Sequence, residues 1–161
     1  MSGYPQDRSF SDRYIDAIKL IVGPRLLQVA SFEQDVSEAT DLIMLQARPL
    51  DIACRVRRPG FAALYPDEFT LRSRRPSGGA TELDKIIDGH GDWLFYGHAI
   101  ENTGNGIIDP WHLIDLAAFR SHLIRGGGLS GRNEKRNADG TGFSVFSLKD
   151  FPSTILIDKG V

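Results

Sequence analysis

Apolar residues Tyr14, Ile15, Ile18, Ile21 and Val22 recur at helical spacing and predict a helix over 12–22, with Ser11 or Asp12 as its cap and Gly23-Pro24 as its stop. Shorter apolar runs follow. Strands are predicted at 26–30, 41–46 and 51–57, and the four-residue Ala47-Arg-Pro-Leu50 link makes the last two a hairpin. Pro59-Gly60 breaks the pattern, 61–67 is irregular, and 68–74 resumes strand-like alternation. Thr81 is placed to cap a short helix, 82–87, that stops at Gly89. Residues 92–99 read as a buried strand, 111–115 as another, and 117–124 as a helix closed by Gly126-Gly-Gly128. From 126 to 142 the chain is glycine-rich, polar and basic without apolar periodicity, which predicts a mobile loop. Strand character returns at 143–146 and 154–157. Strands mixed with helices in this order predict one α/β domain over 1–161, with a central mixed sheet flanked by helices.

Composition adds limits. With 161 residues, one core of ordinary size is expected, since domains most often run to roughly 100–150 residues. One cysteine, Cys54, excludes an intrachain disulfide and fits a reducing compartment, where it is expected to be a structural thiol. No run of ~18 apolar residues marks a membrane span, and the N-terminus lacks a signal-like apolar region, so a cytoplasmic protein is expected.

Net charge is −2, so affinity for a polyanion has to come from local clustering. Such clustering exists between Arg48 and Arg75: Arg55, Arg57, Arg58, Arg72 and Arg74 also fall there, against Asp51, Asp67 and Glu68. Side chains alternate along a strand, so Arg55 and Arg57 are expected on one face and Arg72 and Arg74 on another, a planar array of guanidinium groups suited to phosphate. Arg57, Arg58, Arg72, Arg74 and Arg75 are therefore the candidate DNA-binding residues. A solvated face paired with Glu33, Asp35 and Glu38 is the bland alternative.

Asp41 and Asp51 bracket the expected hairpin, and helix, strands, helix, strand is also the element order of the PD-(D/E)XK nucleases, which this chain resembles over about 90 residues. The resemblance implies a restriction-endonuclease-like fold and Mg2+- or Mn2+-dependent hydrolysis of DNA phosphodiesters, carboxylates holding the ion. Asp41 matches the acid of the second strand, and Arg55 stands for the lysine of the third. The third-strand acid is unmatched: Ala53 occupies its place, and Asp51 lies four residues before Arg55, ~13 Å along an extended strand. Glu82 and Lys85, on one face of the helix after Thr81, are candidates to supply the missing ligand and a charge-stabilising amine. Candidate catalytic residues are thus Asp41, Asp51, Arg55, Glu82 and Lys85, with Asp41, Asp51 and Glu82 as metal ligands. The runs Phe69-Thr-Leu-Arg-Ser, Thr-Glu-Leu-Asp-Lys-Ile and Gly-Asp-Trp-Leu-Phe-Tyr-Gly further look like a group of bacteriophage proteins, which implies a bacterial host cell but no activity.

His98 is a candidate general base if it faces the same cleft, while Trp93, Phe95 and Tyr96 are expected in the core. Base stacking would need aromatics exposed beside the basic strands. The alternative function is a non-catalytic phage protein that binds DNA or a host protein, such as a regulator or an inhibitor of a defence complex.

Overall fold

The run Trp93-Leu-Phe-Tyr-Gly-His-Ala99 is buried at every position but the first, the pattern of a strand covered on both faces. The computed structural model, which describes residues 9–29, 42–44, 49–102, 106–126 and 133–160 (backbone alone at 27–29 and 42–44), places it near the middle of a mixed sheet. In chain order the strands are β1 (Leu27–Val29), β2 (Leu42–Met44), β3 (Ile52–Arg57), β4 (Glu68–Arg74), β5 (Trp93–Ala99), β6 (Ile108–Asp115), β7 (Glu134–Arg136), β8 (Gly142–Ser147) and β9 (Leu156–Gly160). The helices are α1 (Ile15–Val22), α2 (Glu82–Ile87) and α3 (Leu116–Arg125). The larger sheet has the order β3-β5-β6-β9, and β4-β8-β7 form a second sheet. This is a mixed α/β arrangement. No helix among the described residues is long and apolar enough to cross a membrane.

Alternation along β5 sends its side chains to two cores. Leu94 and Tyr96 join Ile114 of β6 in a cluster closed by Phe69 and Leu71 of β4, Phe146 of β8, and apolar residues of α2 and α3. Aromatic rings fill its centre: the Phe69 and Phe119 rings each lie 5.1 Å from that of Phe146. Phe95 points the other way, with Val56, Trp111 and Leu113, under Tyr14, Ile18 and Val22 of the N-terminal helical segment. These last three recur every four residues, which lays one stripe of the helix on the sheet. Gly97 is demanded by packing, because a Cβ there would lie 2.4 Å from Ile108 Cγ2.

Polar side chains set the ends of the helices. Thr81 caps α2 and forms a reciprocal box with Asp84: its hydroxyl accepts from Asp84 N (3.2 Å) and its N–H donates to Asp84 Oδ2 (2.8 Å). Asp115 ends β6 and caps α3 through the N–H groups of Ala117 and Ala118. At α1 the expectation fails, since the cap position belongs to Tyr14, whose side chain makes no capping hydrogen bond and whose hydroxyl donates instead to the Glu101 carbonyl. Ser11 instead accepts from Val56 N–H at 3.2 Å, an edge group of β3 that would otherwise need another partner.

The pairing of β3 corrects the expected hairpin. β2 pairs antiparallel with β1, while β3 pairs parallel with β5, from Ile52 opposite Trp93 to Arg57 opposite His98. Sequence proximity favoured β2; burial decided for β5, whose apolar residues need neighbours on both sides. Asp51 and Asp92 tie the two strand starts together: Asp51 N donates to Asp92 Oδ2 (2.9 Å), and Asp51 O accepts from Asp92 N (2.8 Å). Within 126–142, expected as a loop, β7 forms and pairs with β8 across a turn at 137–141. All three β7 residues are exposed, so no apolar alternation announces the strand.

Two histidines are buried beside the first core without hydrogen-bond partners for His98 Nδ1, His98 Nε2 and His112 Nδ1 among the described residues. Burial first, then Arg57 and His112, pushes the His98 pKa from 6.5 down to about 4. Between these values the unfolded chain takes up a proton that the folded one refuses, so stability present above pH 6.5 is lost as pH falls. From pH 7.5 to 4.5 the loss assigned to His98 is on the order of 2–3 kcal/mol. His112, also lowered by burial, acts in the same direction. Urea unfolding at both pH values should show a smaller drop for His98→Gln than for the wild type; equal drops would assign the titration to other groups.

Candidate functional site

β3 and β4 belong to different sheets, and the gap between them opens into a cleft of about 840 Å³. That is within the range of sites that hold small molecules or segments of a larger ligand. Its walls come from the N-terminal helical segment, β3, the end of β4, α2 and the start of β8. Among the described residues six cations line it: Arg55, Arg57, Arg58, Arg72, Arg75 and Lys85. Among the described lining residues the carboxylates are Asp12 and Glu82, so the described part of the lining is cationic in a chain of net charge −2.

Arg55 holds the two walls together. It leaves β3, donates from Nη1 to the backbone oxygen of Thr70 on β4 (3.0 Å), and forms an ion pair through Nη2 with Glu82 Oε2 (3.1 Å). Both side chains are about three-quarters buried, with 25% of Arg55 and 26% of Glu82 exposed. Glu82 also accepts from Arg72 N–H at 3.0 Å, and so ties the first turn of α2 to β4. Beneath Arg55, the Thr70 hydroxyl lies 3.1 Å from the Tyr96 hydroxyl, which satisfies two buried polar groups in the core.

The arginines form two opposed walls rather than the planar array expected from alternation. Arg55, Arg57 and Arg58 come from the β3 side, and Arg72 and Arg75 from the β4 side. Arg74 is exposed and does not line the cleft: the register shifts between Arg72 and Arg74, and this bulge breaks the two-residue alternation. Lys85 and Glu82 do line it, as their shared helical face predicts. Asp51 lies outside the lining and serves the strand junction through its backbone. Asp41, Arg48, Glu33, Asp35 and Glu38 lie outside the described residues.

His98 is fully buried and absent from the cleft lining, so it has no access there as a general base. Cys54 does line the cleft, and burial pushes its thiol pKa up, away from the reactive thiolate. Phe95 and Tyr96 are core residues as expected. The aromatic residues beside the cations are different ones: Phe10, Phe61 and Phe143 line the cleft. The Arg57 guanidinium lies 4.3 Å above the Phe61 ring, and that of Arg58 lies 5.3 Å above the Phe10 ring. Their sequence signal is weak, since Phe61 sits in an irregular stretch and Phe10 precedes the periodic part of its helix.

A divalent ion needs converging oxygen ligands, and the described residues do not fit one: no group of three His, Cys, Asp or Glu side chains converges among them. Glu82, the candidate ligand that does line the cleft, already meets a guanidinium and a backbone N–H.

If Glu82 is committed to Arg55, a double-mutant cycle of Arg55→Ala and Glu82→Ala will show a coupling of about 1 kcal/mol in urea unfolding. Additive effects would mean that the pair is not a unit. Comparison with protein-family models, curated proteins and solved structures gives no significant match, so function has to be read from the chemistry of the cleft.

Proposed function

We propose that this cleft is a nucleic-acid binding site that grips backbone phosphates without cutting them. The observation that carries the reading is the gathering, among the described residues, of six cations in one cleft of a chain with net negative charge. Arginine suits the task because its planar fork meets phosphate oxygens in pairs and stays charged at any relevant pH. Arg55 is fixed by Glu82 and Thr70, and with its charge met by Glu82 it holds the two sides of the cleft together. Arg57, Arg58, Arg72 and Arg75 stand around it for phosphate contacts from both walls.

A restriction-endonuclease-like arrangement belongs to the same proposal, supported by the element order and by β3 running parallel to β5 across a connection that contains α2. Metal-dependent cleavage of DNA is the second reading. One observation favours it: Arg55, Glu82 and Lys85, three of the five residues expected in catalysis, line the same cleft. Magnesium- or manganese-dependent hydrolysis would require ligands beyond the described ones, Asp41 first among them. Binding without hydrolysis asks nothing further of the described residues.

Fluorescence anisotropy with labelled DNA at several salt concentrations, with magnesium or manganese present and strand breakage followed on a gel, tests both readings. Binding should weaken with salt, with a log–log slope of roughly −3 for about four phosphates on a single strand. Arg58→Ala and Arg75→Ala should each lower the affinity and make the slope shallower by roughly 0.7. Breakage abolished by Asp41→Ala would replace the binding reading with the nuclease one. The absence of any salt-sensitive binding would overturn both and leave a host protein as the partner to seek.

A further inference from the structure

Next to the cationic cleft lies a smaller pocket of about 130 Å³ that shares Arg57, Phe61, Thr70 and Phe143 with it. Tyr65, Glu68 and Lys135 supply other parts of its wall. Phe61 is 38% exposed, and Tyr65 and Phe143 are partly so, which places three accessible aromatic side chains beside the arginines. Resting on our reading of the cleft as a phosphate-binding site, we propose that its ligand is single-stranded nucleic acid, with one unstacked base held in this side pocket.

The chemistry of the wall separates a base from a phosphate. Rings and guanidinium planes are stacking surfaces for any nucleobase, whatever its sequence. The Arg57 guanidinium already rests on such a surface, 4.3 Å above the Phe61 ring, and Lys135 Nζ lies 4.9 Å from the centre of the Tyr65 ring. The Glu68 carboxylate repels a phosphate but accepts hydrogen bonds from the N–H groups on a base edge. The main cleft, in contrast, has its Glu82 charge met by Arg55 and presents cations from both sides. A strand whose phosphates follow the cleft can turn a base into the neighbouring pocket through the shared residues. In an intact duplex that base is paired and stacked, and reaching the pocket costs the energy of unpairing it.

β7 completes the pocket. Its paired backbone holds Lys135 opposite Phe143 in the β7–β8 register, which sets the Lys135 amine over Tyr65. A strand of Glu-Lys-Arg with every residue exposed has no apolar core to serve, and a role in closing this pocket accounts for its place.

Three labelled probes of equal phosphate number separate this inference from the reading beneath it: a single-stranded DNA, a duplex of matched charge, and a single strand built entirely of abasic tetrahydrofuran units. The expected result is that the base-bearing strand binds ~10-fold or more tightly than the abasic one, and more tightly than the duplex. Phe61→Ala should bring the ratio of base-bearing to abasic affinity to within about twofold, and Tyr65→Leu should lower it in the same direction, with circular dichroism confirming that each variant is folded. Equal affinity for abasic and base-bearing strands, tighter binding of duplex, or a ratio unchanged in both variants would overturn the base pocket while the phosphate cleft stands. Failure of all three probes to bind would overturn the cleft itself, and the pocket with it.

Discussion

Arg55 carries a permanent charge into the seam between two sheets, and a charge removed from water has to be met where it lies. Glu82 meets it with a carboxylate, and Thr70 with a carbonyl. Each partner belongs to a different element, so one guanidinium joins β3 to β4 and to the first turn of α2. Apart from this guanidinium, core packing and the contact between the Thr70 and Tyr96 hydroxyls join the two sheets, whose strands are not paired with each other. Its outer part opens as the cleft because the aromatic core that closes it lies deeper, around Phe69 and Phe146.

This arrangement also sorts the charged residues by task. Glu82 serves the fold and at the same time fixes the direction of Arg55. The arginines further out are held by aromatic faces, as Arg57 is by Phe61 and Arg58 by Phe10. The ring contact orients the Arg57 guanidinium without cancelling its charge. Pre-orientation matters for a polyanion ligand, since side chains that are already ordered lose less entropy on binding.

Local chemistry was legible in the sequence and distant pairing was not. The bounds of β4, the Thr81 cap and the buried β5 follow from alternation, from a hydroxyl ahead of an acidic first turn, and from an unbroken apolar run. β3 was legible as a strand, but its partner is set by the burial needs of β5, some forty residues on, and a short link to β2 was the wrong guide. Ser11 was legible as a capping type, yet its hydroxyl went to Val56 across the fold. The arginine cluster was visible in one dimension. Its division into two walls, with Arg74 turned away at a bulge, depends on β3 and β4 entering separate sheets. Phe61, Tyr65 and Phe143 gave little signal because an aromatic residue in an irregular stretch reads the same whether it is buried or exposed.

The contact between Ser11 and Val56 has a bearing on which ligands this surface can accept. Among the described residues β3 has β5 on one side only, which makes its other side a sheet edge, and an open edge is a template for any extended peptide. Ser11 takes the N–H of Val56, and its own hydroxyl lies 3.5 Å from the Val56 carbonyl, so both backbone groups at that position are engaged. An incoming strand would find the ladder interrupted at the point where the arginines begin. The same short helical segment that walls the cleft therefore steers recognition away from backbone pairing and toward the side chains.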